Sequence, residues 1–234
     1  MNELADSLFC SPDDVIAAAE RLGFLPFFKG TLPGLSIEEH TPDSLWFSSE
    51  QDGPWEWKGP IVRSAMVAYA KILGKKAVYV SPTWLPHIVN LRRATRTLSY
   101  DEQRVLNAIV ANENMLSTEI RDQCGFPSHG AKAADRQLFA RLNGNDAPRA
   151  SLDSVLSSLQ MAGQIVVADF EYNIDKKGRP YGWGIARYST PEILYADWFE
   201  LPNASPDESR LKIKEQLLSI CPQASTKLID RLLK

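Results

Sequence analysis

The sequence predicts a mainly α-helical α+β protein, with an N-terminal α/β unit, a helical unit ending in a β-hairpin, and C-terminal helices. Three observations carry that expectation. Several segments place apolar residues at helical intervals. Two β-rich runs, "KKAVYVS" and "QIVVADFEY", break that spacing. Serines stand ahead of most helical segments, where a hydroxyl caps free backbone N–H groups. At 234 residues the chain has room for one large domain or two small ones, and 44% hydrophobic content suits a buried core. The expected units span residues 1–97, 98–190 and 191–234.

Residues 12–22, "PDDVIAAAERL", read as a helix with Ser11 as N-cap, Pro12 in the first turn and Gly23 at the end. The next stretch, as far as Pro60, holds five prolines and three tryptophans. It is too aromatic for a disordered linker and reads as irregular ordered structure, with a short strand near Leu45–Phe47. Residues 60–73 read as a second helix, with Ile61, Met66, Ala70 and Leu73 on one stripe. Gly74 ends it, "KKAVYVS" follows as a strand, and "SPTWLPHIVNLRR" as a short helix capped by Ser81. Beyond Thr97, Ser99 caps a helix with Val105, Leu106, Ile109 and Val110 on one face, and Ser117 caps a short helix ending at Gly125. Residues Lys132–Leu142 read as partly helical. Ser151 caps a helix with Leu152, Val155, Leu156 and Leu159 at core-facing spacing. Strands Gln164–Tyr172 and Tyr181–Tyr188 are joined by "NIDKKGRP", whose turn-forming residues predict a hairpin. Two tail helices start at Ser205 and Ser225.

Several function classes are excluded at this level. No run of about 18 uncharged apolar residues predicts a membrane-spanning helix. The acidic N-terminus "MNELADSLFCSPDDV" lacks the pattern of a secretory signal. Cys10, Cys124 and Cys221 are scattered and odd in number, which argues against a disulfide framework and for a reducing cytoplasm. Cys124 reads as a buried structural thiol. His40, His87 and His129 have no metal-ligand spacing, so no metal is expected. Phosphate-binding glycine motifs and the G-x-S-x-G elbow are absent, so no cofactor is expected.

The net charge is −3, but it is unevenly spread. Residues 1–60 carry −8 and residues 61–187 carry +6, which is compatible with a local anionic partner. The order helix, short helix, helix, hairpin is that of a winged helix. Its third helix would turn Ser154, Ser157 and Ser158 outward, together with Asp153 and Met161. Its hairpin would carry Lys176, Lys177 and Arg179 at the tip, with Arg92, Arg93 and Arg96 forming a second basic patch. On DNA such a helix enters the major groove while a basic loop touches phosphates. The third helix has no Lys or Arg, and Asp153 would repel phosphate, so a protein-interaction module stands as the alternative.

"LGFLPF", "DGPWEWKGPIVRSAMVAYAKILGKKAVYVSPTWLPHIVNLRR" and "LSSLQMAGQIVVADF…GRPYGWGIARYSTPE" resemble a bacterial group related to the AlkZ/YcaQ-type winged-helix DNA glycosylases, over roughly residues 12–200. The resemblance implies a small N-terminal unit ahead of winged-helix modules. In those enzymes, which excise alkylated or crosslinked purines, it also implies a Gln-x-Gln or Gln-x-Asp pair soon after the first helix. Here the equivalent stretch is "RLGFLPFF", with Leu25 and Phe27 at the paired positions. Neither can activate a water. The expectation is therefore a DNA-binding relative without the catalytic pair. An active glycosylase using Glu56 or Glu38 is the alternative. Glu56 lies between two tryptophans, where desolvation would favour the protonated acid, or it is a surface residue flanked by core rings.

Overall fold

The computed structural model describes residues 8–48, 50–128, 148–174, 176 and 180–234. The expected helix over Lys132–Leu142, together with His129, Lys177 and Arg179, lies outside them. Helix α1 (Pro12–Leu22) forms as expected, with the Ser11 hydroxyl accepting from the Asp14 N–H. Gly23 ends it at φ 82°, and a Cβ there would meet the Trp84 ring at 2.3 Å. Glycine is thus required for both the turn and the close approach. Strand β1 (Phe24–Pro26) follows, then the short helices α2 (Ile37–His40) and α3 (Asp43–Trp46). The strand expected near Leu45–Phe47 is therefore a helical turn.

The expected helix over residues 60–73 divides. Helix α4 (Pro54–Arg63) begins earlier, with Pro54 in its first turn, and ends before Ala65, which takes a positive φ. Strand β2 (Ala68–Leu73) takes the second half and turns into β3 (Lys76–Val80). Gly74 and Lys75, both at positive φ, form the two-residue turn that matches strand twist, and this local chemistry overrides the helical spacing. Helix α5 (Leu85–Ala94) starts four residues beyond Ser81, because residues 82–84 form a turn on the Ser81 carbonyl. The Ser81 hydroxyl caps nothing.

Helix α6 (Tyr100–Ala111) has the expected Ser99 cap, and Glu102 reaches back to the Ser99 N–H. Val105 and Ile109 are buried, whereas Val110 is exposed. Strand β4 (Asn114–Leu116) leads into α7 (Ser117–Gln123), whose cap is Leu116 rather than Ser117. Helix α8 (Leu152–Met161) buries Leu152, Val155, Leu156 and Leu159 as its spacing predicts. Strands β5 (Val166–Ile174) and β6 (Pro180–Ser189) form the hairpin. Short α9 (Pro191–Leu194), then α10 (Pro206–Ile220) and α11 (Thr226–Leu232), complete the chain, the last two capped by Ser205 and Ser225.

All strand pairs are antiparallel, in one sheet of order β1-β3-β2-β5-β6-β4. The link across the expected boundary at residue 97 is Tyr69 on β2 opposite Val167 on β5. Among the described residues one hydrophobic core extends from Phe9 to Leu233, and consecutive residues of β1 and β3 are buried in it. The join seats the β5–β6 hairpin beside α4, where Arg63 pairs with Asp169 at 2.7 Å.

Candidate functional site

Phe27 stands at the centre of an aromatic cluster. Its ring lies 4.8 Å from Phe28, 5.5 Å from Trp55 and 5.8 Å from Trp46, with Tyr69 and Tyr79 behind it. Leu25 and Phe27, which the sequence reading set at the paired positions, are 0% and 1% exposed. Both are core residues, and neither side chain can activate a water.

The cluster opens on one side into a cleft of two adjoining depressions, of about 400 Å³ and 380 Å³, which share Trp46, Phe47 and Trp55. Glycine sets the packing of α4 on α3 beside the cleft. A Cβ on Gly53 would lie 1.8 Å from the Leu45 carbonyl oxygen, so only glycine lets α4 start this close to α3. Phe47 stands at the rim, 87% exposed.

Glu38 lines the first depression and Glu56 the second, so the structure brings both candidate carboxylates to one cleft. Burial raises the Glu38 pKa, but hydrogen bonds from Lys29 and its ammonium charge outweigh that and leave it below the ordinary value. Glu38 is thus held ionised and is no proton donor near neutrality. Glu56 is exposed, and its Oε2 accepts the Gly53 N–H at 3.0 Å. It is not desolvated between rings; in the helix Trp57 turns into the core while Glu56 turns to solvent.

Lys58 is the group the sequence did not single out. It is 8% exposed and lines the second depression with Tyr172 and Gly184 of the hairpin. Its Nζ lies 4.5 Å from the Phe170 ring centroid and 4.7 Å from that of Trp55. Burial lowers its pKa to about 8, against a smaller opposing effect of Glu56. The signal that would have found it is helical spacing. Trp55 and Lys58 are three residues apart and share a face once α4 is recognised. Tyr172 donates to the Trp55 carbonyl at 3.2 Å, tying the hairpin to the cleft.

The expected basic surface is only partly present. Lys176 is exposed. Arg92 is not a surface residue: it is 2% exposed and donates to the carbonyls of Ile72 at 2.9 Å, Leu232 at 2.6 Å and Lys234. Burial, and secondarily the charge of Arg210, lowers its pKa to about 10. It faces inward because α5 packs its last turn against the C-terminal segment, so it offers no cation to a partner. Arg93 is paired with Glu192 and donates to the Gly163 carbonyl at 3.0 Å. Arg96 donates to Ser158 at 2.6 Å and to Glu102 at 2.5 Å.

On α8, Ser154 is exposed, Ser158 is taken by Arg96, and Ser157 accepts from Lys71 at 3.5 Å. The buried Gln160 accepts the Lys71 N–H, which docks this helix onto β2. That docking places the exposed Lys71, Lys75 and Lys76 beside α8, a basic edge missed because the β2–β3 turn was read as a helix end. Among the described residues no cluster of three or more His, Cys, Asp or Glu is arranged to hold a metal ion. No described helix is long and apolar enough to cross a membrane.

One antiparallel sheet, the helices packed on it and an aromatic cleft against its hairpin define a mixed α/β protein. The family model described as AlkZ related matches residues 9–234, and the chain belongs to that family. Among solved structures the chain is similar to the Streptomyces sahachiroi DNA glycosylase AlkZ, with a TM-score of 0.51 and 11% identity. The match covers 99% of this chain and 61% of that one, so the chain spans about three fifths of its length. Comparison with curated proteins gives no match.

Proposed function

We propose that the protein binds DNA through a winged-helix surface and the adjoining aromatic cleft, without glycosylase chemistry at Leu25 and Phe27. The winged-helix reading is supported by the order α6, β4, α7, α8, β5, β6, with β4 paired to β6. The observation that carries the loss of chemistry is the burial of Leu25 and Phe27 where a water-activating pair would stand. Lys176, Lys177 and Arg179, which fall between β5 and β6 in sequence, would meet phosphates, as would Arg93 and Arg96 with their residual hydrogen-bonding capacity. Ser154 and Ser157 would lie toward the duplex.

The test is fluorescence anisotropy of a labelled duplex over a range of salt, together with an assay for abasic sites in alkylated duplex. The reading expects salt-weakened binding and no abasic sites. Replacing Lys176, Lys177 and Arg179 with alanine should lower the log–log salt slope by roughly 2 to 3, about 0.9 for each lost phosphate contact. Failure to bind at low salt would turn the reading to a protein-interaction module. One observation favours a second reading, an active glycosylase: Glu38 and Glu56 flank the same cleft. Abasic sites that disappear in Glu38→Gln or Glu56→Gln would establish it.

A further inference from the structure

Lys58 has aromatic faces where a buried cation usually has a counter-ion. Its Nζ sits against Trp55 and Phe170, with Phe27 at 5.9 Å, and among the described residues no carboxylate lies within the 4.0 Å of an ion pair. Burying an ammonium costs far more than burying a methionine of similar volume, so a purely packing role would favour the apolar residue. Lys58 nevertheless lines a cleft of about 380 Å³. That size falls within the roughly 300–1,000 Å³ of small-ligand sites. Trp46 lines the same cleft.

We propose that Lys58 is a nucleophilic amine that captures an aldehyde admitted to this cleft, the aldehyde being the ring-opened sugar of an abasic nucleotide in DNA. The choice of DNA rests on the proposed function; the reactivity of the amine rests on the cleft. The neutral Nζ attacks the sugar C1′ carbonyl carbon, and the carbonyl electron pair moves to oxygen, which takes up a proton. The nitrogen releases a proton, and loss of water from the carbinolamine leaves an imine. Amine and aldehyde thus give imine and water, with no change of oxidation state. Water admitted to the open cleft exchanges these protons, and Glu56 lines the same depression. The vacancy left by a missing base suits flat rings, and Trp46, Phe47 and Trp55 offer stacking faces to its neighbours.

The lowered pKa of Lys58 leaves a larger share of free amine near neutrality than an ordinary lysine has. The titratable groups around it are Glu56 on its own helix, Tyr172 on β5, and Tyr69 and Tyr79 behind Phe27. Burial raises all three tyrosines above their ordinary value, so they stay neutral where Lys58 titrates.

The test incubates the full chain with a duplex bearing one natural abasic site and sodium cyanoborohydride, which reduces an imine to a stable secondary amine. Denaturing gels should show a covalent protein–DNA band, and peptide mapping should place the adduct on Lys58. Lys58→Met and Lys58→Arg should each give at least tenfold less adduct, the arginine variant keeping the cation over the rings. Anisotropy is measured on the same samples. Binding without a trapped band, or an adduct mapped to another lysine, overturns the inference and leaves the proposed function standing. Absence of binding to any duplex overturns both.

Discussion

Replacing Lys58 with methionine tests the cleft as a physical environment. Lys58 ionises near pH 8 in the folded chain, against an ordinary value of 10.5. Its folded value is lowered, so the folded state carries a penalty that is fully present below pH 8 and is relieved as pH rises toward 10.5. A shift of this size corresponds to roughly 3 kcal/mol, of which about 2 kcal/mol should be recovered between pH 7.5 and 10. Burial pushes Tyr188 up to about 12 and raises Tyr69, Tyr79 and Tyr195 as well. Those tyrosines ionise first in the unfolded chain, so they lower stability only above about pH 10. At pH 7.5 the methionine variant sheds the lysine penalty but loses cation–π attraction of about 1–2 kcal/mol. The net expectation is a gain of about 1–2 kcal/mol, or roughly 2–8 °C in Tm. The assay is urea unfolding of both proteins from pH 7 to 10.5. The variant's advantage should shrink to nothing or reverse by pH 10. Parallel pH profiles would show that Lys58 is solvated and refute the reasoning.

Three further outcomes follow from particular contacts. Arg92→Met should orphan the Ile72 and Leu232 carbonyls and cost about 2–5 kcal/mol in chemical unfolding, with DNA affinity unchanged at temperatures where the variant is folded. Gly53→Ala forces a Cβ against the Leu45 carbonyl; its thermal midpoint should fall by several degrees, and tryptophan fluorescence should report a disturbed cleft. Burial raises the Glu102 pKa, but hydrogen bonds from Ser158, Ser99 and Arg96 outweigh it and leave the folded value lowered. Stability from Glu102 is therefore present above the ordinary value of 4.5 and lost as pH falls through the lower folded one, and Glu102→Gln should show a shallower acid loss in a pH-resolved melt.

How far the fold was legible depends on how local its signals are. Capped helices such as α1, α6, α8 and α10 were readable because a serine and an apolar stripe agree within a dozen residues. The β5–β6 hairpin was readable for the same reason. The segment 60–73 was not, because "VAYAKIL" satisfies a helical stripe and its strand character comes from pairing with β3 and, through Tyr69, with β5. Three-residue strands β1 and β4 exist only as partners of longer strands. For the site, that Leu25 and Phe27 are apolar was visible in the letters, and their burial in the core fits that chemistry. Arg92 misled, since a basic residue at a helix end is equally a surface cation or a buried donor to a distant carbonyl. Lys58 was hidden because its ring partners arrive from the residue after β1, from α4 and from β5.

The most direct test of DNA entering the aromatic cleft is hydrogen–deuterium exchange of the full chain, alone and with a duplex carrying an abasic-site analogue. The account predicts slowed exchange in residues 43–58 and along β5 and β6. Protection confined to α10 and α11, or none under conditions where anisotropy reports binding, would contradict it.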